Sequence, residues 1–229
     1  MAGHLARSLG QLLPKQSALF VCDIQDRFRT NIKGFPTVIS TARRLIKGSI
    51  ALQLPIVVTE QYPKALGHTV VELVEVLPPA YTTTPLPSMQ GQQGREAAPT
   101  AQSHHAVFSK TLFSMWTPEV QEHMSQALPH VKQVVLLGIE THVCVLQTAL
   151  DLLARGYEVH VVVDGVSSQR EVDRAVALQR LAQSGVFLAS SEMVLFQLAG
   201  DAKAPGFKAI SELAKEERAP HMVALHSSL

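Results

Sequence analysis

Cysteine is scarce in this chain, and its scarcity excludes a fold held together by disulfides. Only Cys22 and Cys144 occur among the 229 residues, and no apolar core of a secretory signal precedes them. Two thiols without such a signal are typical of a reducing compartment, so we predict a cytoplasmic protein, with nuclear entry left open. The acid-free stretch before Ser17 carries Arg7 and Lys15. It has the composition of a weak mitochondrial presequence, although a frayed terminus is the favoured interpretation.

An excess of either charge is also missing. Lys and Arg number 20 against 19 Asp and Glu, for a net charge of +1 at pH 7, and the basic residues form no cluster. A nucleic-acid or anionic-membrane partner would require such a cluster. No apolar run approaches the roughly 20 residues that cross a bilayer. We therefore predict a small-molecule substrate as partner, with no nucleic acid and no membrane.

The glycine-rich loop of a dinucleotide-binding fold is absent too. Where Gly-x-Gly-x-x-Gly would follow the first strand, residues 23–26 read Asp-Ile-Gln-Asp, which excludes NAD. His104 and His105 look like a metal-binding pair, but neighbours in a polar segment lack supporting groups and are predicted to be exposed. We predict no cofactor and no metal.

Hydrophobic residues make up 46% of the chain, enough for one sizeable core and too little for two α/β domains. Short β-branched runs alternate with patterns of helical period, which is typical of a parallel sheet covered on both faces. We predict an α/β fold: a doubly wound, mostly parallel six-stranded sheet in a Rossmann-like three-layer arrangement. The predicted strands are 19–24, 56–59, 106–108, 133–137, 158–163 and 186–189, and the predicted helices are 37–52, 118–128, 143–154, 171–183 and 191–198.

The domain is expected to span residues 15–214, between a flexible N-terminus (1–14) and a flexible tail (215–229). One internal segment does not fit the alternating pattern. Residues 78–105 are rich in Pro, Thr and Gly with isolated apolar residues, so they can bury little surface and are predicted to be a disordered insertion. A solvated flap is the favoured interpretation of this segment, and a lid is the alternative.

The most informative stretch carries Cys144 from a buried strand onto a helix. Residues 134–139 are too short and too β-branched for a helix, Gly138 breaks the run, and Thr141 is the predicted N-cap of the helix that follows. The partial positive charge of a helix N-terminus favours the reactive thiolate form of cysteine. The alternative is that Cys144 is a small buried hydrophobe.

Two charged residues sit at the ends of other strands. Asp23 ends the first strand, at the edge where α/β sheets bind ligands, and Lys110 follows the apolar run 106–108. A buried lysine requires a partner of opposite charge. Cys22 precedes Asp23, and side-chain alternation predicts that it faces the opposite side of the sheet, in the core.

Four motifs occur together in order: Asp-x-Gln at 23–25, Lys before an aromatic residue and Ser at 110–114, Gly-Ile-x-Thr-x-x-Cys-Val at 138–145, and Asp-Gly-Val-Ser-Ser at 164–168. With these motifs the chain resembles the isochorismatase-like cysteine hydrolases, a superfamily that includes nicotinamidases and N-carbamoyl amidohydrolases. Residues 59–67 (Thr-Glu-Gln-Tyr-Pro-Lys-Ala-Leu-Gly) are further similar to a eukaryotic branch of the family. True isochorismatases cleave a vinyl ether without a cysteine nucleophile, so Cys144 points away from that substrate.

The resemblance implies a Cys-Asp-Lys triad that hydrolyses a small amide-like C–N bond through a thioester. Cys144 would be the nucleophile, Asp23 would move the proton, and Lys110 would supply the cation. The backbone N–H groups of Cys144 and Glu140 would form the oxyanion hole, and the family implies a cis peptide between Ile139 and Glu140. The metal-dependent branch has Asp and His ligands after the second strand, where this chain has Glu-Gln-Tyr-Pro at 60–63.

The remaining predictions concern the pocket and the assembly. The predicted pocket residues are Gln25, Phe28, Gln61, Tyr62, Phe113 and His142. The apolar helix 191–198 favours a homo-oligomer. Two other functions stay open: a catalytically weak binding or regulatory partner, and a thiol-based redox role for Cys144. The redox role is disfavoured because the sequence predicts no resolving cysteine near it.

Overall fold

The structure, a computed structural model, describes residues 9–78, 83–84 and 105–216. Its strands form one sheet in the order β3-β4-β2-β1-β5-β6-β7, and every neighbouring pair is parallel. The strands are β1 (Ser17–Cys22), β2 (Ile56–Gln61), β3 (Thr83–Thr84), β4 (His105–Lys110), β5 (Gln133–Ile139), β6 (Glu158–Ser167) and β7 (Phe187–Ala189).

Helices cover both faces of this sheet, which confirms the predicted doubly wound α/β class. They are α1 (Phe35–Ala51), α2 (Pro63–Leu66), α3 (Val71–Val74), α4 (Pro118–Gln126), α5 (Leu146–Leu153), α6 (Glu171–Gln183), α7 (Ser191–Ala199) and α8 (Phe207–Lys215). Short 3₁₀ turns occupy Pro14–Gln16 and Asp26–Phe28, and a π-helical turn, Thr141–Val145, precedes α5. Among the described residues no helix is both long and apolar enough to span a bilayer.

Two apolar clusters form the core, one on each side of the sheet. The buried strand β1 contributes to both: Leu19 and Val21 pack with α1, α7 and α8 on one face, and Phe20 and Cys22 pack with α4, α5 and α6 on the other. This double burial explains why β1 is an unbroken apolar run without alternation.

The sheet reverses its direction of growth between β1 and β5. From β1 the chain adds β2, β4 and β3 on one side, whereas β5, β6 and β7 follow on the other. Crevices at such a switch point, outside the carboxyl ends of the strands, are where open α/β sheets bind ligands. Cys22 lies beside Gly138 in the register of β1 and β5. The two strands that lead to Cys22 and Cys144 therefore end side by side at this switch point.

Several predicted boundaries are wrong. Thr83 and Thr84 form β3 against β4, so the segment predicted to be an insertion adds a seventh strand; residues 79–82 and 85–104 lie outside the described part. In the described part of the terminus predicted to be flexible, Leu12 is buried and the backbone N–H of Leu13 donates to Gln133 Oε1 at 2.7 Å; residues 1–8 lie outside the described part. Helix α8 runs to Lys215, one residue into the predicted tail.

Candidate active site

Three central strands end in residues with left-handed backbone conformation. Asp23 (φ 54°) follows β1, Tyr62 (φ 36°) follows β2, and Glu140 (φ 54°) follows β5. None of them is glycine, and such conformations cost about 1–3 kcal/mol each. Strained residues of this kind persist where the surrounding structure fixes them and cluster at functional sites. The carboxyl edge of the sheet therefore carries a candidate active site.

A buried ion pair lies at this edge. Lys110 Nζ is 2.7 Å from Asp23 Oδ2, and the side chains are 0% and 2% exposed. The hydroxyl of Thr59 donates to Asp23 Oδ1 at 2.7 Å. Three more oxygens surround the ammonium group: Gln61 Oε1 at 2.6 Å, and the carbonyl oxygens of Leu112 and Phe113 at 3.1 and 2.9 Å.

The ammonium group of Lys110 keeps its charge despite burial. Burial alone would lower the pKa of Lys110, but the negative charge of Asp23 above all, with smaller contributions from Cys22 and Cys144, outweighs it and raises the pKa above its ordinary value. Lys110 is therefore a permanent cation in the neutral pH range.

Cys144 lies in the π-helical turn Thr141–Val145, where it is buried but retains a little exposure (6%). The prediction that Thr141 caps the helix is wrong. Glu140 occupies the N-cap position without a side-chain cap, and Thr141 Oγ1 is buried without a hydrogen-bond partner among the described residues. The turn widens because the N–H of Val145 reaches back to the carbonyl of Glu140 at 3.3 Å. Such π-helical insertions are frequent at functional sites.

Cys22 is buried in the core as predicted, but it does not face away from Asp23. Its sulfur lies 3.5 Å from Asp23 Oδ2, on the same side of the sheet as Cys144. Side-chain alternation fails because the left-handed backbone of Asp23 turns its carboxylate back toward the face of Cys22. Burial above all, then the Cys144 thiol and the Asp23 charge, raise the pKa of Cys22 well above its usual value. Sequence reasoning also missed Thr59, whose position beside Cys22 in the β1–β2 register only a strand pairing could reveal.

Two predicted pocket residues, Gln25 and Phe28, make contacts within the fold. Gln25 is fully buried, accepts the Gln61 N–H at 2.7 Å, and donates to the carbonyl oxygens of Gln61 and Gly67 at 3.0 and 2.6 Å. The side-chain amide of Gln25 thus makes its hydrogen bonds to the backbone after β2 and holds that loop in place. Phe28 is partly buried against the cluster on the α1 face, whereas Cys144 belongs to the other face.

The other predicted pocket residues lie around the ion pair and the nucleophile segment. Gln61 bridges two neighbours, accepting from Lys110 and donating to the Thr111 carbonyl at 2.9 Å. Tyr62, which directly follows Gln61, is 47% exposed. Phe113, whose carbonyl oxygen accepts from Lys110, is 54% exposed. His142 is half-buried near Cys144, with Nδ1 3.1 Å from Ser168 Oγ.

The expected cis peptide is wrong, because the described residues contain none. Ile139 is buried at the end of β5, and the chain leaves the strand through the left-handed Glu140 instead. Oε1 of Glu140 accepts from Gln169 Nε2 at 2.8 Å, and Oε2 lies 3.4 Å from His142 Nδ1. The Glu140 carboxylate therefore belongs to a polar group beside Cys144.

The position of the family's metal ligands holds a carboxylate that is already bonded. Glu60 is buried, and its Oε1 accepts from the N–H and hydroxyl of Thr69 at 2.7 and 2.9 Å. Its Oε2 lies 2.9 Å from His68 Nδ1. In the part of the chain that the structure describes, no three His, Cys, Asp or Glu side chains are grouped to hold a metal ion. His104 and the side chain of His105 lie outside that part.

Fold and site together define an open, doubly wound α/β protein with a thiol and a buried ion pair at the switch point. Comparison with known proteins agrees with this class. The model of the isochorismatase domain matches residues 17–193, and the chain therefore belongs to the isochorismatase family. The predicted resemblance to this family is confirmed, and with it the likeness of the chain to a eukaryotic branch.

Three relatives illustrate the range of similarity. Isochorismatase domain-containing protein 2 of Xenopus laevis is 43% identical over 210 residues, which cover 92% of this chain and 89% of the relative. The solved structure described as MAR1 ribonuclease from Caenorhabditis elegans is 40% identical with a TM-score of 0.78, covering 96% of this chain and 100% of the other. The YcaC product of Escherichia coli, described as an octameric hydrolase of unknown specificity, is 20% identical with a TM-score of 0.70, covering 89% and 90% of the two chains. At that identity it shows the fold alone.

Proposed function

We propose that this protein hydrolyses a C–N bond in a small amide-like substrate, with Cys144 as nucleophile, Asp23 as the group that moves the proton, and Lys110 as the cation between them. The observation that carries the proposal is the Asp23–Lys110 pair, 2.7 Å apart and almost fully buried, beside a thiol at a strand-to-helix turn. A buried charge pair is a weak source of stability. Next to a nucleophile, such a pair can adjust the pKa values of the groups that take part in the reaction.

The first half of the reaction forms a thioester. Cys144 gives its proton to the Asp23 carboxylate, and its sulfur attacks the substrate carbonyl carbon. The tetrahedral intermediate collapses when Asp23 returns the proton to the leaving nitrogen, and the C–N bond breaks. Both Asp23 oxygens are held, one by the Thr59 hydroxyl and one by Lys110, so the carboxylate is fixed in orientation before substrate arrives.

In the second half water replaces the amine. Asp23 takes a proton from the water, the resulting hydroxide attacks the thioester carbon, and the C–S bond breaks to release the acid and the thiolate. Each tetrahedral intermediate carries an oxyanion, for which we propose the backbone N–H groups of Glu140 and Cys144 as donors. The left-handed Glu140 supports this assignment, because it turns the chain sharply between the strand and the nucleophile turn.

The test is a screen of small amides, ureas and carbamoylated amines, read by release of ammonia or amine. We expect turnover by the wild type and a loss on the order of 10³-fold or more in Cys144→Ala and in Asp23→Asn, with little further loss in the double variant because the residues act as one unit. The matched control is Gln179→Ala, an exposed substitution on α6. Turnover that is indifferent to Cys144→Ala would contradict the proposal.

Because the Caenorhabditis elegans structure is described as a ribonuclease, the screen includes RNA. We expect no cleavage that depends on Cys144, since the site's cation, Lys110, is buried and already paired with Asp23 and so is poorly placed to bind a phosphate. RNA cleavage abolished by Cys144→Ala would replace the amide proposal with a phosphodiester reaction.

A catalytically weak binding protein is the second candidate. The observation in its favour is the apolar rim formed by Tyr62, Leu112 and Phe113, which are 47%, 55% and 54% exposed. Mass spectrometry separates the two functions: a hydrolase should accumulate an acyl adduct on Cys144 with a slowly hydrolysed substrate, whereas a binding protein should give none.

We also propose a homo-oligomer in the cytoplasm. Met193 and Phe196 of α7 expose 51% and 41% of their surface, and the structurally similar YcaC product is described as octameric. Light scattering at micromolar concentration should give a mass above that of one 24.9 kDa chain. A purely monomeric mass would contradict this proposal, and imaging of the tagged protein tests the compartment.

A further inference from the structure

The proposed reaction uses only one of the two thiols at the site. Cys22 and Cys144 are the only cysteines in the chain, both are free, and both belong to the apolar cluster on the same face of the sheet. Cys22 ends β1, and Cys144 lies in the π-helical turn between β5 and α5. The strands β1 and β5 are direct neighbours. Burial and, after it, the neighbouring Cys144 thiol raise the pKa of Cys22.

The thiol at position 22 has a polar neighbour as well as apolar ones. The cluster around it is otherwise apolar, and alanine is as readily buried there. Yet the Cys22 sulfur is 3.5 Å from Asp23 Oδ2, so it faces the same carboxylate that serves Cys144. The arrangement pairs a reactive thiol, a second thiol and a proton acceptor at one site.

We infer that Cys22 is a resolving cysteine, which closes a reversible Cys22–Cys144 disulfide when Cys144 is oxidised by a hydroperoxide. In the first step the Cys144 thiolate attacks one peroxide oxygen, the O–O bond breaks, and hydroxide leaves. The product is a sulfenic acid on Cys144. In the second step Cys22 passes its proton to Asp23, and its sulfur attacks the sulfenic sulfur.

The second step breaks the S–O bond and forms the S–S bond, and the departing hydroxide takes the proton from Asp23 to become water. Overall, two thiols and one hydrogen peroxide give one disulfide and two waters. A dithiol reductant reverses the change and restores both thiols. The disulfide removes the nucleophile and also protects it from irreversible oxidation to sulfinic acid.

The order of the two steps follows from the surroundings of each thiol. Cys22 is fully buried, whereas Cys144 retains 6% exposure, so a peroxide in the crevice meets Cys144 first. Burial, the Cys144 thiol and the Asp23 charge raise the pKa of Cys22, which keeps it protonated until its proton can pass to Asp23. Cys22 therefore resolves an oxidised partner and does not react first.

The test uses the full chain without substrate. Wild type is treated with graded hydrogen peroxide, blocked with N-ethylmaleimide under denaturing conditions, and digested with trypsin without reduction. Cleavage after Lys15, Arg27, Lys132 and Arg155 places the cysteines on separate peptides, 16–27 and 133–155. We expect these two peptides to appear linked, and dithiothreitol to release them.

Two variants sharpen the result. In Cys22→Ala no linked peptide can form, and Cys144 should gain two or three oxygens at peroxide concentrations that leave wild type reversibly oxidised. Cys22→Ser should behave in the same way, which guards against a packing defect in one variant. Circular dichroism checks that both variants fold.

Either of two outcomes would overturn the inference. One is over-oxidation of Cys144 in wild type without the linked peptide, and the other is linkage only between two copies of peptide 133–155, which would be an intermolecular disulfide. The inference is separate from the proposed hydrolysis because no substrate is used: amide turnover without the linked peptide overturns the resolving role alone, and the linked peptide without turnover overturns the hydrolase alone.

Discussion

The two ends of the sheet use polar residues in opposite ways. At the carboxyl end, Asp23, Tyr62 and Glu140 have left-handed backbones, a buried ion pair is present, and the hydroxyl of Thr141 is buried without a partner among the described residues. Each of these features costs free energy, and none is needed to hold neighbouring strands together.

At the amino end the polar side chains satisfy one another. Gln133 at the start of β5 accepts from Leu13 N and Ser17 Oγ at 2.7 and 3.1 Å, and donates to the Gln11 carbonyl and Glu158 Oε1 at 2.7 and 2.8 Å. His160 lies 3.1 Å from the same Glu158 oxygen and stacks on Phe187 at 5.0 Å. Here the polar groups tie the N-terminal segment to the sheet.

The contrast separates residues that serve stability from those that serve chemistry. Substitutions at the amino end should destabilise the fold without changing turnover, whereas some at the carboxyl end should abolish turnover and yet be tolerated or even stabilising. The following predictions test this separation.

The largest expected effect is at the ion pair. Lys110→Met leaves the Asp23 carboxylate buried and unpaired, which should lower the free energy of unfolding by about 3–5 kcal/mol. Adding Asp23→Asn removes the charge in a residue type that tolerates the left-handed conformation, and most of the lost stability should return, although turnover stays absent. Urea unfolding of the single and double variants measures this. A double variant no more stable than Lys110→Met would mean that the pair itself stabilises the fold.

A smaller loss is expected at the amino end. Gln133→Ala leaves the N–H of Leu13 without its acceptor and should cost roughly 1–3 kcal/mol in unfolding free energy, with kcat/KM unchanged. The control is Gln179→Ala on the exposed face of α6, which should change neither quantity. If Gln133→Ala lowered kcat/KM as well as the free energy of unfolding, the amino end of the sheet would serve turnover as well as stability, and the proposed separation of the two ends would fail.

Backbone strain at the carboxyl end predicts a reversal of the usual preference for alanine. At Tyr62, the glycine variant should be about 1 kcal/mol more stable than the alanine variant, because glycine adopts a positive φ without penalty. At Gln179, within α6, the glycine variant should be about 1 kcal/mol less stable than the alanine variant. Thermal unfolding of the four variants decides the matter, and the same sign at both positions would show that Tyr62 carries no strain.

The smallest effect concerns pH. Burial lowers the pKa of His160 below its ordinary value of 6.5, against the opposing influence of Glu158. The folded state therefore binds the proton less readily than the unfolded chain, and the His160 contribution is fully present above pH 6.5 and lost as the pH falls toward its folded pKa. Unfolding free energy measured between pH 8 and 5 should decline less in His160→Gln than in wild type. Parallel curves would exclude His160 as the source.

Local patterns allowed much of the fold to be predicted. Helix α6 has the bounds that its pattern predicts, and the buried strand before Cys144 is where its β-branched run places it. Helix α8 was missed because its N-cap, Gly206, has no side chain to cap it and because it buries only Ile210 and Leu213. Strand β6 was predicted to end at residue 163, because Asp164 is of a residue type common in turns, but the strand runs to Ser167. In the structure the Asp164 carboxylate accepts from the N–H and hydroxyl of Ser191 at 2.8 and 2.6 Å, so Asp164 lies within the strand.

Within the site, single-residue chemistry was easier to predict than side-chain direction. Asp23, Lys110 and Cys144 stand out because a charge or a thiol at a strand end has no packing explanation. The position of Cys22 could not be derived, since the alternation rule assumes extended backbone and Asp23 departs from it. The hydrogen bonds of Gln25 and the packing of Phe28 could not be derived either, because proximity in sequence to Asp23 does not reveal which loop or face a side chain contacts.

The oxygen shell of Lys110 has a consequence for enzyme kinetics. Its ammonium group binds the carbonyl oxygens of Leu112 and Phe113, whose side chains form part of the exposed apolar rim. The rim is thus held in place by the charge of a residue that precedes it in the chain. Neutralising Lys110 removes the cation and releases the rim together, so its variants should raise KM as well as lower kcat, whereas Asp23→Asn, which leaves these carbonyl bonds intact, should act mainly on kcat.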